Sequence, residues 1–174
     1  VDHYGAKGYF NSVHHAADGS SKNGTLLLCR SDVAGDNGLL AQNCTSEFAQ
    51  APAFDIRSAS LQTTLAACRT TSHSVGAGVA TPAFSLGGAE GTLQRVSVID
   101  CSTSGFIQSI GLSFVSSGTQ TVGTVKISDC VFSGATHAID INCANKTSSL
   151  VVCNNVAEGS ASYGIRIQNV LGTS

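Results

Sequence analysis

The sequence predicts an all-β chain, a right-handed parallel β-helix of about five to six coils, with residues 1–25 as an N-terminal cap and 26–174 as the solenoid. Three observations predict it. The composition favours strands and turns over helices. Short apolar-x-apolar strands recur every 25 to 30 residues, and cysteines and turn residues recur in step with them.

Only 11% of the 174 residues are charged, against about 25% in an ordinary globular protein. Ser and Thr number 39 and Gly 19, while Glu and Lys number three and four. Ser, Thr and Gly are poor helix formers. A net charge of −2 supplies no basic footprint for a nucleic acid. A hydrophobic content of 42% is enough to bury a core, which argues against disorder. No apolar run approaches the ~18 residues of a membrane span. Val1 with no basic-then-apolar stretch after it is what a mature fragment or an excised piece would show.

Residues 96–105, 125–134 and 150–159 align without a gap. Val96/Val98, Val125/Ile127 and Leu150/Val152 alternate as a strand with one buried face. Asp100, Asp129 and Asn154 follow at the turn, then Gly105, Gly134 and Gly159. A second strand recurs as Phe54-Asp-Ile56, Phe84-Ser-Leu86, Ile110-Gly-Leu112, Ile139-Asp-Ile141 and Ile165-Arg-Ile167. Leu26–Cys29 reads as a weaker first copy. Cys44, Cys68, Cys101 and Cys130 keep the same time, and Asn155 takes that place in the last coil. One coil cannot bury its own apolar face, but a stack shares a core. Val122-x-x-Val125-x-Ile127-x-x-Cys130 also fits a leucine-rich repeat. The second strand, where such repeats carry a helix or irregular turn, favours the β-helix. Residues 1–25 stand outside the repeat, with His14–Ala17 as a short turn or helix, and are expected to cover an open strand edge.

The opening Val1-x-x-Tyr4-Gly5-Ala6-Lys7-Gly8 resembles the start of pectate-lyase-superfamily β-helices, phage tailspikes among them. That resemblance implies a fibre or surface adhesin that touches glycans as a homotrimer. Gly164-Ile165-Arg166-Ile167-Gln168 and Ser133–Ile139 around His137 resemble polygalacturonase motifs, in which the Arg and Lys hold a substrate carboxylate and the His assists acid carboxylates. Here Gln168 replaces the Lys, and the paired acids are absent one and two coils earlier. An inverting glycosidase needs two carboxyls ~6.5–9.5 Å apart. The catalytic candidates are Asp100, Asp129, His137 and Arg166.

Stacked coils make Asp100, Asp129 and Asn154 a column. It is either a turn column, with Asp and Asn bonding their own backbone, or a carboxylate pair sharing a cation. The turn column is the expected one. The outward positions of the second strand are Asp55, Ser85, Gly111, Asp140 and Arg166, a shelf of small groups suited to a polysaccharide or surface glycan. Of these, Asp55, Ser85, Asp140 and Arg166 are the ligand-binding candidates. Asp140 and Arg166 would be neighbours in an exposed ion pair worth at most ~1 kcal/mol. Removing both is then expected to abolish binding and leave melting unchanged.

His3, His14, His15, His73 and His137 show no metal-ligand spacing, and no cofactor is expected. The seven cysteines lack a Cys-x-x-Cys pair. Stacked Cys101 and Cys130 come near the Cα separation of a disulfide, yet buried thiols suit an inward ladder better. Cys143 and Cys153 are candidates for a bridge across the last coils. The sequons at Asn23, Asn43 and Asn145 are about what composition gives by chance. The expected function is a non-enzymatic, extracellular, cell-surface or virion-borne domain that contacts glycans. A polysaccharide lyase or hydrolase of the same superfamily and a purely structural fibre shaft stay open.

Overall fold

The computed structural model describes residues 2–4, 7–16, 27–30, 38–47, 51–71, 81–105, 110–144, 147–160 and 162–170. They form an all-β solenoid of three parallel sheets, with no helix among them. No helix of the described residues is therefore long and apolar enough to cross a membrane.

Sheet 1 holds seven strands: Asp2–Tyr4, Leu27–Arg30, Phe54–Ile56, Pro82–Leu86, Ile110–Ser116, His137–Cys143 and Tyr163–Gln168. Sheet 2 holds six: Lys7–Asn11, Gly38–Gln42, Ala59–Ala66, Thr92–Ile99, Thr121–Ser128 and Thr147–Cys153. Sheet 3 holds the short strands His14–Ala16, Thr45–Glu47, Arg69–Thr71, Ser102–Ser104, Val131–Ser133 and Val156–Glu158. Every strand pairs in parallel with its copy one coil away.

The gapless alignment of the first strand holds in space, with Val96 beside Val125 and Val125 beside Leu150. Three expectations are corrected. A coil carries three strands rather than two. The third spans only three residues, too few for alternation to register, and it follows the turn without a break. Second, the N-terminal segment is no separate cap. Residues 2–4, 7–11 and 14–16 are the outermost strands of the three sheets. Backbone pairing needs no apolar signature, so Lys7–Asn11 could join a sheet without a repeat pattern. Its last residues, 17–25, lie outside the described ones.

Third, Phe84 pairs with Leu112 and Leu86 with Phe114. The third copy of the second strand is therefore Leu112-Ser113-Phe114, and Ser113 takes the outward place expected of Gly111. Ile110, Leu112 and Phe114 alternate with one period, and a slip of two residues keeps every side chain on its face. Pattern alone allowed both registers. Leu27–Arg30 pairs with Phe54–Ile56, so the weak first copy belongs to sheet 1.

The core is a set of stacked columns. Phe54, Phe84, Leu112 and Ile139 form one and Ile56, Leu86, Phe114 and Ile141 another, all at most 1% exposed. Phe84 stacks on Phe54 with ring centroids 4.7 Å apart and meets Phe132 of sheet 3 edge-on at 5.3 Å. A neighbouring column carries only small residues: Ala53, Ala83, Gly111, Ala138 and Gly164. A methyl on Gly111 would lie 2.5 Å from the Ser133 oxygen and 2.6 Å from that of Ala138. The glycine in Gly164-Ile165-Arg166-Ile167 thus has a packing cause, since its Cβ would come within 3.1 Å of Ala157.

Candidate functional site

At the corner between sheets 2 and 3, Ser12, Asn43, Ala67, Asp100, Asp129 and Asn154 all have φ between 51° and 59°. This is the left-handed region, where Asn and Asp are the tolerated non-glycine residues. Asp100 and Asp129 are therefore turn residues. Asn154 Nδ2 donates to Asp129 Oδ1 at 3.2 Å. The neighbouring Ser128 hydroxyl, the Asn154 amide and the charge of Lys126 hold the Asp129 carboxyl below its usual range. It is satisfied by neighbours rather than by a shared proton. No group of three or more possible metal ligands occurs among the described residues.

The residue after each turn points inward and forms the next column: Cys44, Cys68, Cys101, Cys130 and Asn155. Each thiol lies 3.1–3.5 Å from the carbonyl oxygen two residues before it and 3.5–3.7 Å from a carbonyl of the preceding coil. Asn155 does the same with stronger groups. Its Nδ2 donates to the Ile127 oxygen at 2.9 Å, and its Oδ1 accepts the Cys130 amide at 3.0 Å. The thiols serve as small buried donors. Burial pushes the Cys101 thiol well above its usual range, which removes nucleophilic character at neutral pH. Cys143 is buried and Cys153 exposed, and neither is in a disulfide, so the candidate bridge between them is not formed. Alkylation in denaturant without reductant should label all six described cysteines, and native labelling should favour Cys153. A mass gain on reduction would contradict this.

The outward column of sheet 1 runs Asp55, Ser85, Ser113, Asp140, Arg166. The neighbours are as expected, but the exposure is not. Asp55, Ser113 and Asp140 are 2%, 7% and 5% exposed. Arg57 Nε donates to Asp55 Oδ2 at 2.8 Å, and Asp55 Oδ1 is buried without a partner. Arg166 grips Asp140 with both prongs, Nε to Oδ1 at 2.8 Å and Nη2 to Oδ2 at 2.6 Å. This is a half-buried bidentate pair and not the exposed pair expected. As a shelf the column offers little beyond Ser85 and the edge of Arg166.

His137 is 9% exposed under the ring of Tyr163, 5.7 Å between centroids, and neither ring nitrogen has a hydrogen-bond partner. No acid among the described residues hydrogen-bonds to it. Asp100 and Asp129 stand at the corner of sheets 2 and 3, while His137 and Arg166 belong to sheet 1. The four catalytic candidates do not assemble into one site. His14 and His15 hydrogen-bond the hydroxyls of Thr45 and Ser46. His73, Asn23 and Asn145 lie outside the described residues.

Sequence reasoning missed two features. Gln120, 3% exposed, ties three coils together. Its Nε2 donates to the oxygens of Arg57 and Glu90 at 2.7 and 3.2 Å, and its Oε1 accepts the Gly88 amide at 3.0 Å. The other is a cleft of about 510 Å³ on sheet 2, lined by Gly8, Gly38, Leu40, Leu61, Gln62 and Arg95. Its floor is shaped by a bulge. Leu93 and Arg95 pair with Ala59 and Gln62, so the strand Ala59–Ala66 carries one extra residue there. The bulge presses on Gly38, whose Cβ would lie 2.6 Å from the Gln62 oxygen and 2.9 Å from Leu61 Cβ. Bulges often sit where a strand must re-aim a side chain near a site. No family model, no curated protein and no solved structure matches this chain.

Proposed function

We propose that the chain is a non-enzymatic recognition domain of an extracellular, cell-surface or virion-borne protein that contacts glycans, acting as a homotrimer. The observation that carries the binding claim is the outward face of sheet 2. Gln62, Thr64, Arg95, Ser97, Thr121, Thr124 and Ser149 stand on it, exposed or partly exposed. Successive strands lie ~4.8 Å apart, so these hydrogen-bonding groups form a rigid ladder suited to a hydroxyl-rich ligand. Scattering of the candidate acids, and the engagement of Asp55 and Asp140 with arginines, count against hydrolysis or elimination. A glycan array should give bound saccharides, and incubation with the same polysaccharides should release no new reducing ends. Release of reducing ends, or a blank array, overturns this reading. Light scattering at the mass of one chain removes the trimer and leaves the binding claim standing.

A further inference from the structure

We infer that the cleft on sheet 2 binds the carboxylate or sulfate of an extended ligand, with Arg95 as its anchor. This deepens the glycan-binding reading and rests on it for the sugar, though not for the charge.

Four observations carry it. The first is the segregation of charge. The six strands of sheet 2 contain Lys7, Arg95 and Lys126 and no Asp or Glu, in a chain of net charge −2. The acids that do stand on strands lie on the other two sheets, Asp2, Asp55 and Asp140 on sheet 1 and Glu47 and Glu158 on sheet 3. The second is that Arg95 is exposed and belongs to neither ion pair found among the described residues, Arg57–Asp55 and Arg166–Asp140. An unpaired guanidinium keeps its planar fork for a carboxylate or sulfate.

The third is the concavity. Gly8 and Gly38 line the cleft, and the bulge at Ala59–Gln62, which packs into the space a side chain at Gly38 would take, brings Leu61 and Gln62 to the edge of it. A cavity of about 510 Å³ falls in the size range of ligand sites. Leu40 and Leu61 supply an apolar wall, and Gln62 and Thr64 supply polar groups beside it. The fourth is direction. Arg95 pairs with Thr124, and Lys126 stands one strand over and two residues along. Their Cα atoms are thus roughly 8 Å apart. Lys126 shares its field with Asp129, so Arg95 is the stronger of the two anchors. The arrangement favours a chain laid across the strands with more than one anionic group.

Titration calorimetry on the whole chain with four probes tests this: a heparin-derived octasaccharide, an oligogalacturonate, a neutral cello-oligosaccharide and poly-glutamate. The two anionic saccharides should bind, with affinity falling as salt rises. Arg95→Ala should weaken both by at least about tenfold with the melting curve unchanged. Arg69→Ala, which removes an exposed arginine of sheet 3, should change neither. Equal losses from the two variants, or no loss from Arg95→Ala, overturn the inference. A neutral saccharide bound independently of Arg95 also overturns it and keeps the glycan reading. Poly-glutamate bound through Arg95 with no saccharide bound keeps the anion site and removes the glycan reading. If no probe binds, the anion site is overturned.

Discussion

Phe84→Ala should lower stability by about 3–5 kcal/mol, the range for removing a fully buried aromatic ring. Phe84 is 0% exposed and sits in the middle of the stack, with Phe54 on one side and the edge of Phe132 across the core. Its loss removes the ring's own transfer energy and two aromatic contacts, each worth ~0.5–1.5 kcal/mol beyond burial. The cavity cannot collapse easily, because the strands on both sides are pinned in register to their neighbours. For a chain of this size the melting temperature should fall by roughly 6–20 °C. Phe84→Leu should cost clearly less, since Leu112 fills the same column position one coil later. Thermal melts of both variants decide the matter, and equal losses would contradict this, because the apolar volume that Leu restores would then contribute nothing. A solenoid is stabilised between nearest neighbours, so the Ala variant should also broaden the transition.

Arg166→Ala should cost about 2–3 kcal/mol, and the double variant with Asp140→Ala should cost less than Arg166→Ala alone. The physical reason is asymmetric burial. The Asp140 side chain is 7% exposed and that of Arg166 31%. Removing the arginine leaves a buried carboxylate with its partner gone, whereas removing both leaves a gap that carries no unpaired charge. The solvent-facing side of Arg166 lowers the penalty from the full value of a buried pair. Urea unfolding of the single and double variants completes the cycle. Additive losses would mean the two residues are not coupled. The column position alone gave an exposed pair and no change in melting; burial reverses the second expectation.

The contrast between these two sites shows where sequence pattern carries information. Period-two alternation at Val96/Val98 and Val125/Ile127 reports a buried face directly, because alternation is the geometry of a strand. The columns of Asp, Asn and Cys were legible for the same reason: a repeat places equivalent residues one above another. The column that holds Phe54 and Phe84 was also visible, since Phe54-Asp-Ile56 and Phe84-Ser-Leu86 are successive copies of one recurring strand. The slip at Ile110 was not, because a shift of two residues preserves every face.

The acid-free strands were a readable signal for the cleft, yet they belong to one sheet only once the pairing is known. Short strands such as Ser102–Ser104 give no periodicity to read, so the third side of each coil was missing, and with it the separation of Asp100 and Asp129 from Arg166. The sequence by itself determined an all-β solenoid, its period, its inward columns and the turn at Asp100, Asp129 and Asn154. Only the tertiary structure decided which outward columns are accessible. Exposure depends on what neighbouring coils and loops cover, and no local pattern encodes that. For this reason Asp140, outward by alternation, is buried, and the open polar face lies on another sheet, around Arg95.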